Sequence, residues 1–112
     1  MALCKRLNCI SVVEGVETEN VEKIVQDFIE LTSIDAVSYD ERRVADKIKE
    51  LLSSIGIDSY EDDAAKILGG TSGNIYATFH GDADIPPIML SAHMDTVGPG
   101  KGKKPIVDKT SN

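Results

Sequence analysis

IMLSAHMDTV, at residues 88–97, is an apolar segment that carries a histidine and an aspartate two residues apart near its carboxyl end. Residues 88–92 carry almost only apolar side chains, which predicts a central strand buried on both faces of a sheet. In an open α/β sheet, ligands bind beyond the carboxyl ends of the strands, where His93 is placed. Because residues i and i+2 of an extended segment project to the same side, we expect His93 and Asp95 to face one cavity and Met94 to point back into the packing.

Two interpretations of this pair remain open on the residues alone. A histidine that binds a metal usually has its second ring nitrogen held by a carboxylate or carbonyl oxygen, and Asp95 is a candidate for that role. The alternative is a hydrogen-bonded histidine at a strand end, followed by a turn that begins at Asp95. Spacing alone favours the alternative, because short His-x-Asp matches arise easily by chance.

Other candidate groups are interpreted as structural. His80 also ends a predicted strand, but the polar turn at 81–87 explains its surroundings. The acidic pair Asp62 and Asp63 is interpreted as solvated surface. The glycine-rich residues 69–73 lack the Gly-Lys-Ser/Thr ending of a phosphate-binding loop, and no helix is predicted after them.

Two amphipathic helices precede these segments. Apolar residues recur at helical spacing from Thr18 to residues 33–34, which predicts the first helix. Ser38, followed three residues later by Glu41, predicts a capping box at the start of the second helix, and Gly56 predicts its left-handed end. The apolar stripe of the second helix consists of Val44, Ala45, Ile48, Leu51, Leu52 and Ile55.

About three strands are predicted after the helices. Alternating polarity indicates a half-buried strand over 57–61, a second strand covers 74–80, and 88–92 forms the third. The stretch 62–73 is predicted to end in a loop, at residues 69–73. Two helices followed by about three strands suit an α/β layer rather than a helical bundle.

Composition limits the possible functions. The chain has 112 residues, a net charge of −7 and 4% aromatic residues without Trp, which argues against a nucleic-acid partner. No apolar run is long enough to span a membrane and no secretory signal is found, so we expect a cytoplasmic protein with no membrane partner. Residues 1–17 are interpreted as an irregular N-terminal extension carrying the reduced thiols Cys4 and Cys9, and residues 18–112 as the domain.

A longer phrase resembles a known family. The phrase PPIMLSAHMDTV at 86–97, preceded by GNIYA at 73–77, is similar to the di-zinc exopeptidases related to peptidase T, aminoacylase and glutamate carboxypeptidase. The resemblance extends back to LTSI at 31–34 and forward to PGKGKKP at 99–105, which is most similar to the peptidase T-like branch. It covers roughly residues 21–105 and outweighs the preference for a structural His93.

The resemblance implies a function for the pair. His93 matches a zinc ligand, and Asp95 matches the catalytic-site aspartate that supports that histidine and the metal pair. The family's two zinc ions hold a bridging water and polarise the scissile carbonyl of a short peptide substrate, while a glutamate moves the proton. The fold implied is the N-terminal part of a zinc-exopeptidase-like α/β/α catalytic domain, incomplete in this chain.

The resemblance also implies that the remaining ligands and the glutamate base belong downstream of residue 112. We therefore expect the isolated chain to have negligible peptidase activity, since catalytic zinc needs about three protein ligands. Unpaired sheet edges beside residues 88–92 are expected to favour self-association, and a homo-oligomer is a further expectation. The alternative function is a non-catalytic binding or dimerisation module that keeps half of the fold.

Overall fold

A computed structural model describes residues 18–81 and 85–108 of the chain. The predicted extension at 1–17 lies outside these residues. The elements are helix α1 (Thr18–Ser33), helix α2 (Arg42–Ser54), strand β1 (Ser59–Glu61), helix α3 (Ala64–Leu68) and strand β2 (Ile75–Ala77). The predicted α/β class is confirmed, and both long helices lie where their apolar periodicity places them.

Helix α2 supplies most of the small core. Ala45 is fully buried and Val44 is almost so, and Ala36 in the loop before α2 is buried beside them. Helix α1 contacts α2 but leaves apolar side chains in solvent, with Phe28 65% and Ile24 66% exposed. The apolar stripe of α1 is therefore only partly covered by the described residues.

The start of α2 differs from the predicted capping box. Glu41 occupies the N-cap position, and its side chain makes no capping hydrogen bond. The backbone N–H of Arg42 instead donates to Thr71 Oγ1 at 3.1 Å, so a loop 29 residues away caps the helix. Thr71 therefore fills the capping role predicted for Ser38, and the Ser38 hydroxyl can bind another group.

Strands β1 and β2 form an antiparallel pair that is shorter than predicted. Tyr60 lies opposite Tyr76, and their rings stack with centroids 4.8 Å apart. The preceding turn is as expected, since Gly56 has a φ of +75°. The predicted strand spans at 57–61 and 74–80 each contain three residues that pair.

Helix α3 lies at residues 64–68, for which the sequence predicts no element. The carboxylate of Asp62 accepts a hydrogen bond from the N–H of Ala64 at 3.0 Å, at the start of the helix. Gly69 ends it in the left-handed conformation, with a φ of +75°. A helix of five residues is too short to show a 3.6-residue period, so the sequence pattern could not reveal it.

The predicted central strand at 88–92 is wrong. Within the described residues this segment has no strand partner, and Ile88 is 83% exposed while Met89 and Leu90 are each 89% exposed. An apolar run indicates a preference for burial but does not supply the neighbouring strands that bury it. The expected exposed apolar surface is present, and self-association through it remains a prediction.

The carboxylate of Glu61 links α2 to the strand pair by hydrogen bonds. Glu61 receives two hydrogen bonds from the Arg42 guanidinium at 2.8 and 2.9 Å, one from Lys49 at 3.0 Å and one from the N–H of Gly73 at 2.9 Å. These donors, with Arg42 first and Gly73 next, lower the pKa of Glu61 from 4.5 to about 2. Glu61 is thus held charged between the helix and the strand pair.

This depressed pKa predicts a loss of stability in acid. A carboxylate whose pKa is lower in the folded state stabilises the fold fully above its unfolded value of 4.5, and that contribution disappears as the pH falls toward 2. We expect the Glu61 carboxylate to contribute about 2 kcal/mol to the free energy of unfolding above pH 4.5, and urea unfolding between pH 2 and 7 measures it. Glu61→Gln should flatten the pH dependence of the free energy of unfolding. Glu50→Gln, which changes an exposed carboxylate, should leave that pH dependence unchanged. Equal pH dependence in wild type and Glu61→Gln would contradict the assignment.

Candidate functional site

Two distant segments run side by side at the candidate site. Val37, in the loop between α1 and α2, forms an isolated parallel β-bridge with Thr96. The backbone N–H of Thr96 donates to the carbonyl of Ala36 at 2.7 Å, and the Thr96 hydroxyl donates to the same oxygen at 3.2 Å. The loop after α1 therefore fixes the backbone that carries His93 and Asp95.

The structure brings His93 and Asp95 together as the i, i+2 spacing predicts. Nδ1 of His93 lies 3.5 Å from Oδ1 of Asp95. The imidazole is 96% exposed, while the Asp95 side chain is only 32% exposed. The carboxylate is thus held against the protein, and the histidine projects from it into solvent.

Ser38 is a third member of this cluster. Its hydroxyl donates to Oδ2 of Asp95 at 2.6 Å, across 57 residues of sequence. Sequence reasoning placed Ser38 at a helix cap and missed this contact, because no local pattern links it to residue 95. The two oxygens of the Asp95 carboxylate are therefore divided between Ser38 and His93.

A cleft of about 220 Å³ lies beside the pair. Its walls are mainly apolar side chains from α1, α2 and the loop between them, and His93, Met94, Asp95 and Thr96 line it as well. Met94 is half-buried and lines the same cleft as His93 and Asp95, so the expectation that it points away from their cavity is wrong. The lining residues from the helical region are Phe28, Leu31, Thr32, Ile34, Ala36, Val44 and Ile48.

The chain after the pair is also anchored to the loop before α2. The N–H of Gly102 donates to Oδ1 of Asp35 at 2.7 Å, and Lys103 Nζ donates to the Thr96 hydroxyl at 3.1 Å. Gly100 is buried, and a Cβ there would lie 2.7 Å from the Thr96 Oγ1. These contacts hold the C-terminal side of the segment that carries the candidate site.

The donor chemistry of the pair suits one part of a zinc site. Imidazole nitrogen and carboxylate oxygen are both zinc ligands, and a carboxylate beside Nδ1 is the usual support for a ligating histidine. Among residues 18–81 and 85–108, no three His, Cys, Asp or Glu side chains cluster at metal-binding distance. His93 can therefore supply a ligand, and a complete site needs further ligands in addition to it.

The other acidic and histidine candidates have separate positions. Asp62, interpreted as solvated surface, is instead half-buried and accepts hydrogen bonds from Asn74, Ala64 and Tyr76. The side-chain amide of Asn74 is the largest cause of its lowered pKa. Asp63 is exposed and pairs with Lys66 at 2.6 Å, as expected of surface, and His80 is exposed.

Comparisons with known proteins place this region within a larger fold. The chain is 36% identical over 89 residues to the uncharacterized protein YqjE of Bacillus subtilis (strain 168), covering 80% of this chain and 24% of that protein. It matches the crystal structure of a tripeptidase from Staphylococcus aureus with a TM-score of 0.72 and 33% identity, covering 79% of this chain and 24% of the tripeptidase. No protein-family model matches.

The chain therefore corresponds to part of a tripeptidase-like fold and spans about a quarter of the length of both relatives. Its helices and small sheet are a partial α/β domain of that fold. None of the helices in the described residues is both long and apolar enough to cross a membrane.

Proposed function

We propose that this chain forms the N-terminal part of the catalytic domain of a zinc-dependent, peptidase T-like aminopeptidase that hydrolyses short peptides. The observation that carries the proposal is the His93–Asp95 pair, held beside an apolar cleft in a region similar to a solved tripeptidase. The ring of His93 is 96% exposed, which leaves Nε2 accessible to a metal.

The residues of this chain would contribute to hydrolysis by holding and orienting a metal. His93 would bind it through Nε2, and Asp95 would accept a hydrogen bond from Nδ1–H and so fix the tautomer of the ring. When bound, zinc lowers the pKa of a water molecule and polarises the scissile carbonyl. A carboxylate that accepts this hydrogen bond makes the ring a stronger ligand.

The remaining parts of the proposal follow from the same likeness. By resemblance, the complete catalytic domain holds two zinc ions, takes a short peptide as substrate and acts in the cytoplasm, as a possible homo-oligomer. The further ligands and the general base would come from sequence outside this chain. On this proposal, the 112-residue chain alone has negligible peptidase activity.

The native gene product tests this proposal directly. An antibody against residues 21–52 would capture it from the source cells, and its intact mass and zinc content would be measured. We expect a mass several times that of the 112-residue chain and about two zinc ions per polypeptide. A product of this length that hydrolyses tripeptides by itself would contradict the proposed division of the site.

A second candidate function is favoured by the exposed apolar segment at 88–90. Its three side chains are at least 83% exposed, which is unusual for a stable surface. A non-catalytic module could use this segment to bind a partner or a second copy of itself. Tight, metal-independent binding by a native product of 112 residues would favour this function over the peptidase.

A further inference from the structure

Ser38 makes a side-chain contact unlike those of the other serines near the helix ends. The hydroxyls of Ser33 and Ser54 each bond to a backbone carbonyl within their own helix. Ser38 instead reaches Oδ2 of Asp95, and the 2.6 Å distance is that of a strong hydrogen bond to a carboxylate. Its hydroxyl therefore acts on the candidate site rather than on the local backbone.

The backbone around Ser38 keeps this contact in place. The neighbouring Val37 is bridged to Thr96, and Ala36 accepts the N–H of Thr96 at 2.7 Å. Residue 38 is thereby set beside residue 95 by main-chain bonds that do not involve its own side chain. Since Ser38 itself is exposed, removing its hydroxyl leaves no buried cavity.

We propose that Ser38 is a positioning residue, which holds the Asp95 carboxylate so that the His93 ring is protonated on Nδ1 and presents Nε2 to a metal. The inference rests on the proposed metal-binding role of His93. With one oxygen of Asp95 fixed by Ser38, the other lies 3.5 Å from Nδ1 of His93, and a small rotation of the exposed ring would bring Nδ1–H into hydrogen-bond distance of it. Without that anchor the carboxylate can rotate about its side-chain torsions and release the ring.

The tautomer of His93 reports this role without any enzymatic assay. Nitrogen-15 NMR would measure the Nδ1–H and Nε2–H populations of His93 and His80 in the metal-free form of the complete native protein, at a pH well above the ordinary histidine value of about 6.5. His80 serves as an internal reference. We expect Nδ1–H to dominate at His93 in the wild type and in Ser38→Thr, and to fall to the level of His80 in Ser38→Ala. Ser54→Ala, the matched control, should not change it.

Zinc titration of the same samples separates the two proposals. We expect zinc to shift the Nε2 resonance of His93 in the wild type, and Ser38→Ala to need about tenfold more zinc for the same shift. A Ser38→Ala tautomer equal to wild type, or a Ser38→Thr tautomer equal to Ser38→Ala, would overturn the positioning role. A tautomer change without any zinc response at His93 would uphold the positioning role and count against the proposed metal function.

Discussion

Replacement of His93 by alanine in the complete native protein is expected to lower zinc-dependent tripeptide hydrolysis by at least about 100-fold, because even supporting residues of metal sites typically contribute 10- to 100-fold. The change removes the exposed imidazole, and the neighbouring carboxylate of Asp95 cannot take its position. Initial rates at several zinc concentrations measure the loss, and bound zinc is quantified in the same samples.

His80→Ala is the matched control for this experiment, because His80 is the other histidine of the chain and is also exposed. It does not line the cleft beside Asp95. We expect His80→Ala to retain both activity and zinc. A His93→Ala protein that keeps its zinc content and its hydrolysis rate would show that the histidine is a surface residue.

Substitution of Gly73 by alanine is expected to destabilise the chain by about 2–3 kcal/mol, as insertion of a carbon into a fully packed position does. Gly73 is buried, and a Cβ there would overlap the backbone carbonyl of Asp62 and lie 2.6 Å from its Oδ1. The N–H of Gly73 also donates to Glu61 at 2.9 Å, so moving this backbone weakens the link between α2 and the strands.

Gly98→Ala provides the comparison for Gly73→Ala. Gly98 is exposed, and a Cβ added there would have no neighbouring atom within 4 Å, so we expect its change in stability to stay within about 0.5 kcal/mol. Urea unfolding followed by circular dichroism measures both variants. Equal urea midpoints for Gly73→Ala and Gly98→Ala would mean that the backbone at Asp62 shifts to accommodate the added Cβ without loss of stability.

The parts of the fold that the sequence predicted well depend on neighbouring residues. Helix α1 ends at Ser33, within the predicted residues 33–34, because apolar side chains every three or four positions mark one face of a helix. Gly56 likewise ends the α2 region in the left-handed conformation that few other residues adopt. Such signals lie within a few positions of the structure they specify.

The wrong predictions depend on partners that are distant in sequence. The capping box failed because Thr71 takes the first amide of α2 and Ser38 contacts Asp95. The strand predicted at 88–92 failed because no described strand lies beside it. A polarity pattern indicates which side chains of a segment favour burial. The path of the whole chain decides which element packs against them.

The same distinction between local signals and distant partners applies to the candidate site. The amino-acid order is enough to predict that His93 and Asp95 project together, since alternation along an extended backbone is a local property. The packed fold is needed to show that the carboxylate is shared with Ser38 and that the pair borders a cleft between α1 and α2. The Ser38 contact joins residues 57 positions apart, and no short-range regularity encodes such a distance because it arises from the packing of separate elements.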